Sequence, residues 1–165
     1  MSTDAGSQTT WLSREAHARL TAGLQEMTGS RRAEVVAKIE AARDEGDLKE
    51  NGGYHAAKEE QGKLELRIRQ LTQLLRDVRV GDLPVGDVVE EGCLVSVDYG
   101  DDDVETFLFA SRENATDEGG KIGTMDVYSP ESPIGQALAG RKVGEQVTFG
   151  PRDITITVKA ITPYT

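Results

Sequence analysis

Tyr54, Ala57, Gln61, Leu64, Ile68, Leu71, Leu75 and Val78 follow one another at alternating steps of three and four residues without a slip. Only a helix brings such positions onto one stripe, and a stripe this narrow packs against a second helix rather than a broad core. The pattern lasts roughly three and a half heptads, and one polar residue, Gln61, interrupts it; a polar seam residue fixes register at some cost in stability. Upstream, Leu20, Leu24 and Met27, then Val35, Ile39 and Ala42, supply the partner helix. Ser13 with Glu15 marks its start, and Gly29-Ser30 predicts a kink or short break. Between the helices lies EGDLKENGG, whose glycines at 46, 52 and 53 permit a tight reversal. The sequence thus predicts an antiparallel α-helical coiled-coil hairpin over residues 11–80, with an acidic tip at 44–50, after a small polar disordered tail over 1–10. An arm of about 30 residues reaches roughly 45 Å at ~1.5 Å per residue. So thin an element buries little surface for its length, and reach is its evident use.

After Val80 the period changes. Gly81, Pro84 and Gly86 mark a linker over 81–87. Residues 93–99, 105–111, 124–128, 146–149 and 154–161 read as strands. SPIGQALAG reads as a short helix, with Ser132 as N-cap, Pro133 in the first turn and Gly140 past the end. Residues 88–165 are therefore expected to form a small antiparallel β-sheet domain carrying one short helix, and the chain as a whole is α+β.

Charge separates the same two regions. The 165 residues hold 19 Lys and Arg against 29 Asp and Glu. Residues 1–80 carry 13 of each sign, whereas 81–165 carry 6 basic and 16 acidic side chains, the whole of the net −10. An acidic protein gains little from counterion release, so general affinity for nucleic acid is not expected, and any contact with it should be local, through a partner or a cation. A single cysteine, Cys93, rules out an intrachain disulfide framework and a multi-cysteine zinc site. No apolar run approaches the roughly 18 residues that span a bilayer, and the N-terminus lacks the basic and apolar regions of a signal peptide. A monomeric cytoplasmic protein without a membrane partner is expected.

Asp47 and Glu50 stand three residues apart at the tip. That is the spacing of a capping box at a helix entry, and spacing alone favours this reading. Two exposed carboxylates also suit a hard cation such as Mg²⁺, which takes oxygen ligands and leaves positions for another molecule's groups. The two readings are compatible. Glu40, Asp44 and Glu45 with Arg43 and Lys49 read as a solvated end, and Asp101-Asp102-Asp103 as a hairpin turn. On the second helix Lys58, Lys63, Arg67 and Arg69 are interleaved with Glu59, Glu60 and Glu65, which offer partners along the helix. A weak RNA-contacting stripe through Lys58, Lys63 and Arg67 is the alternative. Tyr54 occupies the seam and is most simply core. No phosphate loop, nucleophile elbow or dinucleotide fingerprint is present.

The segment GDLKENGGYHAAKEEQGKLELRIRQL, residues 46–71, closely resembles the hairpin signature of the bacterial Gre transcript-cleavage factors, in wording like that of actinobacterial members. VYSPESPIGQALAGRKVGEQVTF, residues 127–149, is similar to the family's FKBP-like C-terminal domain, and with the TWLSREAHARL opening the likeness spans residues 10–164. It implies a factor that docks its C-terminal domain on the rim of the RNA polymerase secondary channel and passes its hairpin to the active site. There it stimulates the polymerase's own cleavage of backtracked transcript 3′ ends, meeting the nascent RNA only indirectly. The factor is then an activator and not itself an enzyme. Asp47 and Glu50 would be the catalytic acids, jointly holding the polymerase's second Mg²⁺. Leu48, Lys49, Asn51 and Tyr54 would position the tip; Asp126, Ser129, Pro130, Ser132, Pro133 and Gly135 would face the polymerase. Ordinary turn and capping chemistry accounts for this last segment equally well. Gly52-Gly53 departs from the Ala-Glu of many relatives, removing one acid and loosening the tip. The modest basic content of the hairpin matches the less basic branch of the family and implies short cleavage products. A channel-binding regulator without cleavage is the alternative, disfavoured by the intact DLKE tip. An FKBP-like chaperone is a third reading, which a peptide isomerisation assay separates, with no activity expected.

Overall fold

The computed structural model describes residues 10–46, 51–82, 84, 87–116 and 119–164. In chain order these form β1 (Trp11–Leu12), α1 (Arg14–Glu26), a π-helical turn (Met27–Arg31), α2 (Arg32–Arg43), α3 (Gly52–Arg76), β2 (Arg79–Val80), β3 (Cys93–Asp98), β4 (Val104–Phe109), a 3₁₀ turn (Arg112–Asn114), β5 (Lys121–Ile122), β6 (Met125–Tyr128), α4 (Pro133–Leu138), β7 (Gln146–Phe149) and β8 (Ile154–Pro163). They fall into two units, one running from His17 to Asp77, the other joining the residues up to Ala16 with those from Val78 onward.

The first unit is the helical hairpin. Val35 and Ile39 of α2 pack on Ala57 of α3, with Tyr54 and Leu64 closing over them. Ile68 and Leu71 continue the buried line, so every expected seam position on α3 is buried or half-buried. The hitch at Gly29-Ser30 is a π-helical turn that passes into α2 through Arg31 in helical geometry, without a cap. One extra residue is thus absorbed into the turn and the chain stays helical, instead of breaking. The reversal differs in detail from expectation. Gly46 has a positive φ of 153°, but Gly52 and Gly53 are the first two residues of α3.

The second unit is a six-stranded sheet in the order β5-β6-β4-β3-β8-β7. It is mixed, not wholly antiparallel as expected: β4 and β6 run parallel, paired at Leu108 with Val127 and Phe109 with Tyr128. The 3₁₀ turn and β5, which pairs antiparallel with β6, lie in the connection, so β6 returns to β4 in the same direction. Ser132 caps α4, accepting from the Gly135 amide at 3.1 Å. One face of the sheet, with Val95, Val97, Phe107, Ile156 and Val158, packs on Ile134 and Leu138 of α4. The other face buries Trp11 on Leu108, Ala110 and Val127. The expected bounds of 11–80 place Trp11 and Leu12 in the hairpin, whereas here they form a parallel pair with Arg79 and Val80. Gly81, read as the start of a linker, extends this pairing through its amide to the Leu12 carbonyl at 2.9 Å, and the Trp11 indole donates to the Asp82 carbonyl at 3.0 Å. A large aromatic with a free indole N–H is better buried at a sheet than on a two-helix seam. Ser13 caps α1 as expected, its Oγ accepting from the Ala16 amide at 3.0 Å, while Asn114 accepts from the Ser13 amide at 2.7 Å. The tail over 1–9 and residues 83, 85 and 86 of the expected linker lie outside the described residues.

Candidate functional site

Asp47, Leu48, Lys49 and Glu50 lie outside the described residues; their two anchors do not. On the first side α2 ends at Arg43, and Asp44 and Glu45 close its last turn by donating to Glu40 and Ala42 carbonyls at 3.1 Å each. On the second side Asn51 is the N-cap of α3, its Oδ1 accepting from the Tyr54 amide at 3.0 Å. The same side chain donates through Nδ2 to the Ala42 carbonyl of α2. One amide therefore satisfies an orphan donor of the second helix and an acceptor of the first, tying the two ends of the tip together. Because α3 starts only at Gly52, the capping-box reading of Asp47 and Glu50 gives way to Asn51 as the cap. Tyr54 is half-buried on the Val35 cluster, edge-on to His55 at 5.7 Å and with the Arg43 guanidinium 6.0 Å from its ring centre. That cation–π approach adds a second tie between the arms.

The charged faces of α3 are paired mainly across the hairpin, where the sequence suggests pairing along one helix. Arg32 meets Glu65 with two parallel bonds of 2.9 Å, and Glu60 takes Arg31 and Lys38. The Lys38 hydrogen bond holds the Glu60 carboxyl below its ordinary range, and that from Arg32 does the same to Glu65. Of the suggested RNA-contacting residues, Lys63 pairs with Glu59 at 3.6 Å, Lys58 donates to Gln61 at 3.0 Å, and Arg67 is half-buried on α3. These contacts match a salt-paired surface. Among the described residues no group of three or more His, Cys, Asp or Glu side chains is set to hold a metal ion. Asp47 and Glu50, the pair the sequence puts forward as oxygen ligands for Mg²⁺, lie outside those residues.

On the sheet unit, Asp126, Ser129, Pro130, Ser132, Pro133 and Gly135 come together where β6 runs into α4. Ser132 donates through Oγ to the Ser129 carbonyl at 2.7 Å and its amide donates there at 3.1 Å. A Cβ at Gly135 would sit 1.9 Å from that carbonyl, so only glycine fits. Pro133 is exposed and Pro130 half-buried. Sequence reasoning missed the surroundings. A groove of about 360 Å³ runs beside the segment, lined by Ser111, Arg112, Glu113, Ser129 and Glu131. Asp126 is bound by Lys121 at 2.8 Å, and that hydrogen bond holds its carboxyl below the usual range. These neighbours come from distant strands, and no local spacing signals them.

Comparison with known proteins covers both units. Residues 10–80 match the family model described as transcription elongation factor, N-terminal, and residues 84–163 the one described as transcription elongation factor, GreA/GreB, C-terminal. The transcription elongation factor GreA of Streptomyces coelicolor is 50% identical over 150 residues, 89% of this chain and 87% of that protein. That of Mycobacteroides abscessus is 45% identical over 163 residues, 95% of this chain and 96% of that protein. Among solved structures, the GreA factor homolog 1 protein of Thermus thermophilus is matched over 93% of this chain and 99% of that chain, with 24% identity and a TM-score of 0.43.

Proposed function

The chain belongs to the GreA/GreB family of transcription elongation factors, and from that membership we propose that it enters the RNA polymerase secondary channel and stimulates cleavage of backtracked transcript 3′ ends. The observation that carries this reading is the clasp around the tip: Asn51 joins the last turn of α2 to the first of α3 and leaves DLKE as the segment between. An acidic tip beside a phosphodiester is repelled unless a divalent cation lies between them. When bound, a second Mg²⁺ at the polymerase active centre lowers the pKa of the attacking water and supports the charge of the reacting phosphate. The chain's own part is to bring in carboxylate oxygens. Asp47 and Glu50 supply them, and Leu48, Lys49, Asn51 and Tyr54 hold them at the end of the hairpin. Polymerase gains a ligand only when the factor arrives, so cleavage is conditional on it. The segment from Ser129 to Gly135, with Asp126, docks on the channel rim, and its internal bonding keeps that loop rigid. RNA polymerase is therefore the partner, and nascent RNA is approached through the polymerase active centre.

Purified Asp47→Ala is expected to bind polymerase normally and to lose cleavage stimulation on backtracked complexes by at least about 100-fold, the upper end of what loss of an outer partner costs a metal site. In a Mg²⁺ titration the unaltered protein should lower the Mg²⁺ requirement and the variant should not. Undiminished cleavage by the variant overturns the assignment.

A further inference from the structure

A cluster of ionisable groups centred on Glu105 adjoins the docking segment and meets it at Asp126. Glu105 lies at the start of β4, half-buried beside the core that contains Phe107. Its Oε1 accepts from the Tyr99 hydroxyl at 2.7 Å and its Oε2 from the Tyr128 hydroxyl at 3.1 Å. The Tyr128 hydroxyl also stands 3.5 Å from Asp126, which Lys121 holds from the other side. The Tyr128 ring is fixed edge-on to Phe107 at 4.7 Å.

We propose that Glu105 is the positioning residue of the polymerase-facing edge, setting Tyr128 and Asp126 and through them the segment from Ser129 to Gly135. This rests on the reading that the segment docks on polymerase. The ladder between β4 and β6 has only two register pairs, Leu108 with Val127 and Phe109 with Tyr128. Towards the start of β4 the two strands share no register pair, and the Glu105 carboxylate, reached by the Tyr128 hydroxyl, supplies the cross-link instead. Tyr128 immediately precedes Ser129, whose carbonyl anchors both polar groups of Ser132. A shift of Tyr128 is thus carried directly into the loop and the first turn of α4. Burial and then the Glu105 hydrogen bond push the Tyr99 hydroxyl above its ordinary range, and burial and the Glu105 charge do so for Tyr128, so both remain donors. With two donors converging on it, Glu105 must present two acceptors. Glutamine has the same shape but one acceptor and no charge, so its amide N–H meets the second hydroxyl only by turning that hydroxyl into an acceptor, and the charge-assisted bonds are lost.

The test uses the full chain with polymerase, reading the factor concentration for half-maximal cleavage, the plateau at saturation and the thermal melt. Glu105→Gln is expected to raise the half-maximal concentration about tenfold, as loss of a charged hydrogen bond does, with the plateau kept within twofold. Tyr128→Phe keeps the ring on Phe107 and serves should the first variant melt early; it is expected to share the loss, and Glu105→Gln/Tyr128→Phe to be no worse than Glu105→Gln alone. A purely structural role would lower the melt while leaving the half-maximal concentration of the folded protein unchanged. Asp126→Ala separates the two levels of argument. If it weakens binding while folded Glu105→Gln and Tyr128→Phe do not, the positioning role is overturned and docking stands. If none of the three weakens binding, the docking reading fails and the proposal with it.

Discussion

The helical hairpin and the sheet unit solve the burial problem in opposite ways. The hairpin has one line of contact, with Leu20, Val35, Ile39, Ala42, Ala57, Ile68 and Leu71 as the buried apolar side chains among its described residues. Side chains flanking that line are charged, and Arg32 with Glu65 and Glu60 with Lys38 tie one arm to the other. The sheet unit buries both faces, one under α4 and the other under Trp11, and within it Phe107, Leu108 and Phe109 are all buried in succession. A one-line core keeps a long hairpin narrow; a two-faced core makes a firm sheet on which a loop can be held to a fixed shape. Each unit should accordingly fail in its own way. Trp11, the single tryptophan, reports the sheet unit, and far-ultraviolet helicity reports mostly the hairpin.

The largest effect is expected at Gly135→Ala, where the added methyl meets a backbone carbonyl that two bonds from Ser132 hold in place. Overpacking of this kind costs up to about 3 kcal/mol, and tryptophan fluorescence should lose its transition several degrees early while the helical signal holds. Loss of both signals together would mean that the two units melt as one, contrary to the contrast drawn above. Asn51→Ala should act on the other unit. Removing an N-cap costs about 1 kcal/mol, here with the bond to Ala42 lost as well, and helicity rather than fluorescence should fall in a urea titration. Smallest is the acid response of the cross-arm pairs. The Arg32 hydrogen bond lowers the Glu65 carboxyl from 4.5, so its contribution is present above that value and disappears as pH falls through the lowered one. Glu65→Gln should flatten the decline in helical melting temperature below pH 4.5, and salt should shrink the difference, since both partners are partly open to solvent. An unchanged acid profile would remove the pair from the account of what holds the arms.

Much of the hairpin was legible because its contacts are local in period. Once Tyr54 through Leu75 are spaced by three and four, the buried stripe follows whatever the partner. The Asn51 cap was not legible as such: Asp47 with Glu50 offers the more familiar capping spacing, and only the actual start of α3 at Gly52 decides between them. Cross-arm pairing of Glu60 and Glu65 was hidden for a similar reason, since partners along the helix, such as Glu59 for Lys63, are visible in sequence and partners across it are not. In the sheet unit the five longer strands and the α4 cap could be read, while the two-residue strands β1, β2 and β5 and the parallel return of β6 onto β4 could not. Strand pairing joins residues far apart, and alternation says which residues face inward without saying which strand lies alongside.

By itself, then, the sequence determined the two arms, their seam, the five longer strands, the short capped helix and the composition of the tip. Each is written in spacing, capping chemistry or residue type over a few neighbouring positions. Tertiary structure alone decided that Trp11 belongs to the sheet, that Asn51 clasps both arms, and that Glu105 gathers Tyr99 and Tyr128 beside Asp126. Those are meetings of groups distant in the chain, and they exist only where burial has already brought the strands and helices together.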